Sequence, residues 1–240
     1  MRPDVAWDLK QTVETIADLS VELGIPFISG KDSSSGTMES AGRRIDVPPT
    51  LVVATLGRVL DVKKVVTKEF KRPGNKLVLV GHLDPEALGG SVYADSYGQR
   101  GERLFDAYDG AAIRALWDAL LRLHQEGSYV SASAIAEGGL LLRVFEAAFG
   151  SGLGATVNLD VQIPGRKDGL LFGESIGTVL LEVAPGCDLE KSFRGVPHRV
   201  IGEVTQEPRI SLAQSGTIIW QESVATLAAG WARTFREVVK

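Results

Sequence analysis

One loop of this sequence carries residues suited to binding a phosphate group. It spans residues 29–37 and reads Ser-Gly-Lys-Asp-Ser-Ser-Ser-Gly-Thr. Its glycines let backbone N–H groups approach an anion, and its hydroxyls can donate hydrogen bonds. Lys31 supplies a positive charge. Asp32 can balance that charge, or it can bind a metal ion that supplies positive charge instead. The loop is therefore a candidate phosphate site, and the alternative is an ordinary solvated turn, which has a similar composition.

Two later turns and one acidic motif share features with this loop. The turns are Leu88-Gly89-Gly90-Ser91 and Ala136-Glu137-Gly138-Gly139, and the motif is Leu171-Phe172-Gly173-Glu174-Ser175. Each turn follows a predicted strand and leads toward a helix, where glycine exposes helix-terminal N–H groups to an anion. Glu174 adds a carboxylate, so we predict it, with Asp32, as a metal ligand. The predicted cradle residues are Gly89, Gly90, Ser91, Glu137, Gly138 and Gly139.

Hydrophobic periodicity predicts the elements that position these turns. Apolar residues at helical spacing predict helices at 8–23, 110–125 and 141–150, and a last one that carries Val224 to Val238. Short apolar runs predict strands at 25–28, 50–56, 76–81, 129–135, 155–161, 177–183, 199–204 and 209–212. The unbroken run Thr50–Leu56 predicts burial on both faces. The order of elements after residue 74 predicts a layered α+β domain with its helices on one face of the sheet.

We predict two domains, 1–73 and 74–240. Residues 63–74 are rich in lysine and read as an exposed connection. The first segment has one predicted helix and two predicted strands, too few to close a core alone. We therefore expect that this domain was cut or is completed by another chain.

Composition excludes several classes of function. The 240 residues are 44% hydrophobic and 23% charged with a net charge of −4, and no basic run suggests binding to nucleic acid or to an anionic membrane. The single cysteine excludes an internal disulfide, and three scattered histidines give no zinc-ligand spacing. The apolar runs are far too short to span a bilayer, and the first residues do not form a signal peptide. The expected location is cytoplasmic.

Several motifs together are similar to those of formylglycinamide ribonucleotide amidotransferase, also called phosphoribosylformylglycinamidine synthase. The matching segments are 24–26, 29–33, 48–52, 88–91, 137–140, 147–149 and 171–175. The resemblance implies the superfamily of aminoimidazole ribonucleotide synthase, and hence a ferredoxin-like C-terminal α+β domain preceded by a partial N-terminal α+β domain. It also implies that the chain matches the tail of the second of two tandem units in an ATP-dependent C–N ligase of purine synthesis.

The family's reaction uses ATP, magnesium and ammonia to turn an amide into an amidine through a phosphorylated amide oxygen. The resemblance implies that Lys31, Asp32 and Ser33 face the phosphates of an auxiliary ATP or ADP with its Mg²⁺, and that the two later turns cradle them. The implied partners are the remaining synthetase unit, the glutaminase and a further copy of the chain.

One departure from the family's pattern concerns catalysis. Where the family has His, Asp and Ser before the glycine pair, this chain has Ser133, Ala134 and Ala136. Alanine cannot bind a metal ion or form an ion pair, so we assign no catalytic residue and expect the isolated chain to be inactive. Two alternatives stay open: a structural or interaction module without a ligand, and another ATP-using member of the superfamily such as a small-molecule kinase. The match at Phe172–Ser175 argues against the kinase.

Overall fold

The computed structural model describes residues 3–31, 36–46, 50–101, 103, 109–161 and 163–239. The chain divides into two compact units, Met1–Leu60 and Asp61–Lys240. The predicted domain boundary at residues 73 and 74 lies inside the second unit, and the division into domains 1–73 and 74–240 stays a prediction.

The first unit contains one long helix and one hairpin among its described residues. Helix α1 spans Pro3–Leu23 and ends before Gly24, as predicted. Strands β1 (Thr37–Ser40) and β2 (Arg43–Asp46) pair antiparallel, a hairpin that the sequence analysis missed. The strands predicted at 25–28 and 50–56 are wrong: both segments lack strand structure and expose most of their large apolar side chains. A strand requires a hydrogen-bonding neighbour, and no described residue pairs with either segment.

The second unit is an α+β domain built on a mixed sheet, which confirms the predicted fold class. Its strands are β3 (Lys76–Val80), β4 (Tyr129–Ala134), β5 (Gly154–Asn158), β6 (Val179–Val183), β7 (His198–Thr205), β8 (Arg209–Gln214) and β9 (Thr217–Ser223). Its α-helices are α2 (Val92–Ser96), α3 (Gly110–Glu126), α4 (Gly139–Ser151), α5 (Lys167–Phe172), α6 (Leu189–Ser192) and α7 (Val224–Val238). The strand order is β4-β6-β3-β7-β5-β8-β9, and only the pair β5–β8 is parallel among the described strands. The sequence analysis also missed strand β9 and the short helices α2, α5 and α6.

Helices cover both faces of this sheet, so the prediction of one covered face is wrong. Leu77 and Leu79 of β3 belong to one apolar cluster, which also includes the buried side chains of α4 and α5. Val78 and Val80 belong to another, which includes those of α3. Because successive strand residues point to opposite faces, the continuous apolar run of β3 buries both. None of the described helices combines the length and apolarity needed to span a membrane.

A buried carboxylate fixes the segment that leads into the sheet. The side chain of Glu182, in β6, is almost fully buried. It accepts hydrogen bonds from the backbone N–H groups of Lys71 (2.8 Å) and Arg72 (2.9 Å) and from the side-chain amide of Asn75 (2.7 Å). Three donors satisfy the buried charge, so Glu182 holds residues 71–75 against the sheet.

Candidate functional site

Glu174 joins the two glycine turns that the sequence analysis singled out. Its Oε1 atom accepts a hydrogen bond from the N–H of Val92, at the start of α2, and another from the N–H of Gly138, both at 2.9 Å. Ser91 caps α2, since its hydroxyl accepts a hydrogen bond from the N–H of Ala94 at 3.1 Å. The turn at 88–91, the turn at 136–139 and the motif at 171–175 therefore meet at one carboxylate.

The backbone donors of the predicted cradles already have partners within the chain. The N–H of Gly89 donates to the carbonyl of Arg103 at 2.7 Å, and that of Gly90 to the carbonyl of Arg100 at 2.8 Å. Ser91 donates to Leu88 and Gly139 donates to Ala136, within the turns themselves. With Gly138 bound to Glu174, these five N–H groups are engaged. In this arrangement the turns do not fit a phosphate, which would require those hydrogen bonds to be exchanged.

Close backbone packing explains two of the glycines around this carboxylate. A Cβ atom on Gly139 would lie 2.5 Å from backbone atoms of Phe172, and one on Gly169 would lie 1.7 Å from the carbonyl oxygen of Pro85. Gly139 also has a positive φ of 71°, which favours glycine. The glycines thus let the turn at 136–139, helix α5 and the segment at residue 85 approach one another.

An aromatic and ionic network flanks the site on helices α2 and α5. The ring of Tyr93 stacks on Phe172 with centroids 4.7 Å apart, and its hydroxyl donates to Asp168 at 3.0 Å. Asp168 also pairs with the guanidinium of Arg166 at 2.6 Å. The hydrogen bond from Arg166, and then that from Tyr93, hold the pKa of Asp168 below its usual range. The hydrogen bond to Asp168 in turn raises the pKa of Tyr93.

A second ion pair connects the turn at 88–91 to the loop after β3. Asp84, mostly buried, pairs with Arg103 at 2.6 Å, and the backbone N–H of Asp84 donates to the hydroxyl of the buried Ser175. The carbonyl of Arg103 is the acceptor for Gly89. Sequence reasoning missed both ion-pair networks. Arg103 is distant from Asp84 along the chain, and Tyr93 is distant from Asp168. The segments that hold these residues carry no periodic signal, and only the motif at 171–175 pointed to this region.

The opening loop is only partly described. Asp32 and Ser33, predicted to face a phosphate, lie outside the described residues, while Lys31 is exposed. Among the residues that the structure describes, no group of three or more His, Cys, Asp or Glu side chains could hold a metal ion. The metal-ligand roles of Asp32 and Glu174 stay predictions. A cavity of about 380 Å³ is lined by residues 190 and 193–199, none of which belongs to the predicted turns.

The positions that depart from the family's pattern lie in the turn at 136–139 and in the end of the strand just before it. Ser133 and Ala134 end strand β4, opposite Leu180 and Val179 of β6. Ala134, Ala136 and Glu137 are exposed. Of the turn and these departures, only Glu137 carries an acidic or basic side chain, so they supply no acid–base pair.

Comparison with known proteins agrees with the resemblance seen in the sequence. A family model described as "AIR synthase related protein, C-terminal domain" matches residues 72–214. The phosphoribosylformylglycinamidine synthase subunit PurL of Thermus thermophilus is 35% identical over 99% of this chain and 32% of its own length. The subunit of Deinococcus radiodurans is 30% identical over 88% of this chain and 29% of its own length. The chain thus spans about a third of the length of the curated relatives that it matches.

Solved structures support the same fold. PurL from T. maritima, solved in complex with ATP, aligns with a TM-score of 0.64 and 22% identity over 90% of this chain and 35% of that one. PurLQS from Thermotoga maritima aligns with a TM-score of 0.56 and 23% identity over 70% of this chain and 28% of that one. The family model covers more than half of the chain, and the chain therefore belongs to the family of AIR synthase related proteins.

Proposed function

We propose that this chain is the C-terminal part of a cytoplasmic phosphoribosylformylglycinamidine synthase, where it forms the structural half of the ATP-dependent synthetase. The synthase converts formylglycinamide ribonucleotide to the amidine in purine synthesis. The observation that carries the proposal is the 35% identity to a synthase subunit over 99% of the chain. The proposed partners are the remaining synthetase unit and the glutaminase.

The geometry around Glu174 supports a structural role rather than a catalytic one. The N–H groups of Gly89, Gly90, Ser91, Gly138 and Gly139 are all engaged by acceptors of the chain itself. A catalytic phosphate site needs such donors directed at the ligand. The serine and alanines at 133, 134 and 136 remove the metal-binding side chains of the family's pattern. The turns therefore act as a scaffold that holds the sheet and α2, α4 and α5 in place.

A chimeric enzyme tests this proposal. This chain would replace the matching third of the Thermus thermophilus subunit, and ADP release would be measured with formylglycinamide ribonucleotide and ammonia, then with glutamine and the glutaminase. We expect activity that depends on the ribonucleotide substrate. The matched control chimera carries Glu182→Ala, which removes the acceptor of three hydrogen bonds in the scaffold.

A folded chimera with no activity would contradict the proposal. Activity with ammonia but not with glutamine would keep the synthetase role and exclude the glutaminase as a partner of this portion. Activity of the isolated chain alone would also contradict the proposal. The complete chemistry would then lie in this chain, which matches only a third of the relative's length.

A second candidate function is an auxiliary nucleotide site on the opening loop, with Lys31, Asp32 and Ser33 facing the phosphates and Mg²⁺ on Asp32 or Glu174. Two observations favour it: T. maritima PurL has been solved in complexes with ATP and with ADP, and Lys31 is exposed in this chain. The cradle residues from Gly89 to Ser91 and from Glu137 to Gly139 would contribute only after exchange of their present hydrogen bonds.

Calorimetric titration with Mg-ADP tests this second candidate. We expect saturable binding that Lys31→Ala and Asp32→Ala weaken, with Lys191→Ala, another exposed lysine, as the matched control. Absence of heat at millimolar nucleotide from the folded chain would exclude the site. If Lys191→Ala weakens binding as much as Lys31→Ala does, the loss is a general charge effect, and that result would also exclude the site.

A further inference from the structure

A cavity between helix α6 and strand β7 shares no residue with the Glu174 site. It measures about 380 Å³ and is lined by residue 190 of α6 and by residues 193–199, which lead into β7. Pockets that hold small molecules measure roughly 300–1,000 Å³. The cavity is therefore large enough for a small ligand and is independent of the turns at 88–91 and 136–139.

Buried contacts hold the wall of this cavity in place. Phe193 and Val196 are buried in the apolar cluster that also includes side chains of α3. The N–H of Val196 donates to the carbonyl of Phe193 at 2.9 Å. The carbonyl of Pro197 accepts a hydrogen bond at 2.8 Å from the N–H of Gly81, directly after β3. The cavity is thus formed on the core of the domain, as preformed ligand sites usually are.

The orientation of the His198 ring is fixed by its neighbours. Most of this side chain is buried, and its ring lies 5.2 Å from that of Phe193. Its Nδ1 atom lies 3.1 Å from the carbonyl oxygen of Val196, which can only accept, so Nδ1 carries the hydrogen. Its Nε2 atom lies 3.6 Å from the carboxylate of Glu190, which also lines the cavity. In the neutral ring both of these atoms are acceptors, so Nε2 lacks a donor.

Two arginines give the cavity a positive net charge. Arg194 and Arg199 line it, and Glu190 is the single carboxylate among its lining residues. Arg199 donates to the carbonyl of His198 at 2.8 Å through Nη1, which leaves the remaining N–H groups of its guanidinium available. No described residue forms a hydrogen bond or an ion pair with Arg194. Because the Glu190 side chain is 94% exposed, it can turn away from an entering anion.

We propose that this cavity binds the phosphate monoester of a small organic molecule. Arg194 and Arg199 contact the phosphate oxygens, since the guanidinium fork matches the geometry of a phosphate. One proton between Nε2 of His198 and a phosphate oxygen satisfies both atoms. A monoester, with a second pKa of about 6, can itself carry that proton. The carbon part of the ligand lies against Val196 and Pro197.

The lining residues favour an organic phosphate over a carboxylate or a bare phosphate ion. A phosphate monoester offers three terminal oxygens and a charge of about −1.5 to −2 near neutral pH. It can therefore engage both guanidinium groups and the imidazole, whereas a carboxylate has one oxygen fewer and a smaller charge. A bare phosphate ion would leave the apolar part of the cavity unfilled. This proposal does not depend on the synthase activity.

Titration of the full chain with phenyl phosphate, followed by NMR of the histidine ring signals, tests the site. We expect a saturable shift of the His198 signal, which is assigned by its loss in His198→Gln. The signals of His82 and His124 should stay in place, because neither residue lines the cavity. Inorganic phosphate lacks the apolar part, and benzoate lacks the third oxygen. Each should therefore bind about tenfold more weakly than phenyl phosphate.

Substitution of the two arginines gives the second measurement. Arg194→Ala and Arg199→Ala should each weaken phenyl phosphate binding by about tenfold or more. The matched control is Arg236→Ala, which removes an exposed arginine of α7 that does not line the cavity. Circular dichroism of each variant establishes that it is folded.

Three results would overturn the proposal. The first is the absence of a saturable His198 shift at millimolar phenyl phosphate. The second is equal weakening by Arg236→Ala, which would indicate a general charge effect. The third is binding of inorganic phosphate or benzoate as tight as that of phenyl phosphate, which would exclude an organic phosphate as the ligand class.

Discussion

Two apolar runs of similar composition behave differently in the two units. Leu77–Val80 of β3 is buried, whereas Val52 and Leu56 in the run Thr50–Leu56 are 85% and 89% exposed. β3 lies between β6 and β7, which supply hydrogen bonds on both sides. No described residue pairs with the run Thr50–Leu56. An apolar run therefore shows only that a segment is able to form a buried strand. The strand forms only where neighbouring strands complete its hydrogen bonds.

Hydrogen exchange should show the largest difference between these two runs. We expect amides of β3 and β6 to exchange only through global unfolding, which corresponds to about 5–15 kcal/mol in a typical domain. Amides of residues 50–56 should exchange at nearly unprotected rates. Exchange followed by mass spectrometry checks both on the same sample. Equal protection of the two runs would show that residues 50–56 pair with another strand in solution. It would contradict the difference between the two runs.

Removing the buried carboxylate should have the next largest effect. Glu182→Ala leaves the N–H groups of Lys71 and Arg72 and the amide of Asn75 without their acceptor. Each buried unsatisfied group costs about 1–3 kcal/mol, so we expect the free energy of unfolding to fall by about 3–5 kcal/mol.

Urea denaturation measures this loss, and Glu182→Gln serves as the matched control. Glutamine retains one acceptor oxygen and should lose less stability. If alanine and glutamine cost the same small amount, the three hydrogen bonds contribute little and the segment 71–75 is held by other contacts.

Two glycines with nearly the same backbone separate conformational strain from close packing. Gly139 and Gly152 have φ values of 71° and 70°, but a Cβ would meet Phe172 backbone atoms at 2.5 Å in the first case and nothing within 4 Å in the second. Gly152→Ala should therefore cost about 1 kcal/mol from the left-handed backbone alone. Gly139→Ala should cost about 2–4 kcal/mol, because overpacking adds to that strain. Urea denaturation measures both, and similar losses would mean that the turn at 136–139 moves away from α5 without penalty.

The sequence predicted most elements of residues 76–239 and fewer of residues 1–60. Apolar spacing correctly predicts β3 to β8, α3, α4 and α7, because each of them packs apolar side chains against buried neighbours. The same apolar spacing predicted α1, with Gly24 marking its end, although none of its described side chains is buried. β9 was missed although it is rich in β-branched residues, since it directly precedes α7 without a break. The faces of the sheet were misjudged because the run at 77–80 was not read as buried on both sides.

For the candidate site, the sequence found the segments but not their bonding. The turns at 88–91 and 136–139 and the motif at 171–175 do come together. Composition could not show that Glu174 itself would engage their N–H groups, because carboxylates suit both metal ions and backbone donors. The ion pairs of Asp84 and Asp168 also depend on loop conformations that no local pattern specifies.

Glu174 should contribute less than Glu182, because its carboxylate is less buried and accepts two donors rather than three. Glu174→Ala is expected to lower the free energy of unfolding by about 1–3 kcal/mol. Glu174→Gln keeps an acceptor oxygen and should recover part of that loss, whereas Glu137→Ala, at an exposed neighbour, should have almost no effect. Urea denaturation of the three variants checks the order. A gain in stability for Glu174→Ala would show that the carboxylate is strained at its present position.

The smallest predicted effect is a pH dependence at Tyr93 and Asp168. The pKa of Asp168 is lowered by Arg166 and Tyr93, so its contribution is present above the ordinary aspartate pKa of about 4 and is lost as the pH falls below it. The pKa of Tyr93 is raised by its hydrogen bond to Asp168, so its contribution is present below the ordinary tyrosine pKa of about 10 and is lost as the pH rises above it. The gap in Tm between the wild-type chain and Tyr93→Phe should therefore be largest between these limits and shrink on both sides.

Tyr129→Phe provides the contrast for this last measurement. Its hydroxyl donates to the carbonyl of Leu120, and burial raises the pKa of Tyr129 without a carboxylate partner. The gap in Tm between the wild-type chain and Tyr129→Phe should shrink only on the alkaline side. The hydroxyl of Tyr129 has no aspartate partner that could be protonated at acid pH. Thermal scans from acid to alkaline pH on both variants distinguish the two environments. An acid limb in Tyr129→Phe, or none in Tyr93→Phe, would show that the hydrogen bond to Asp168 does not produce the effect.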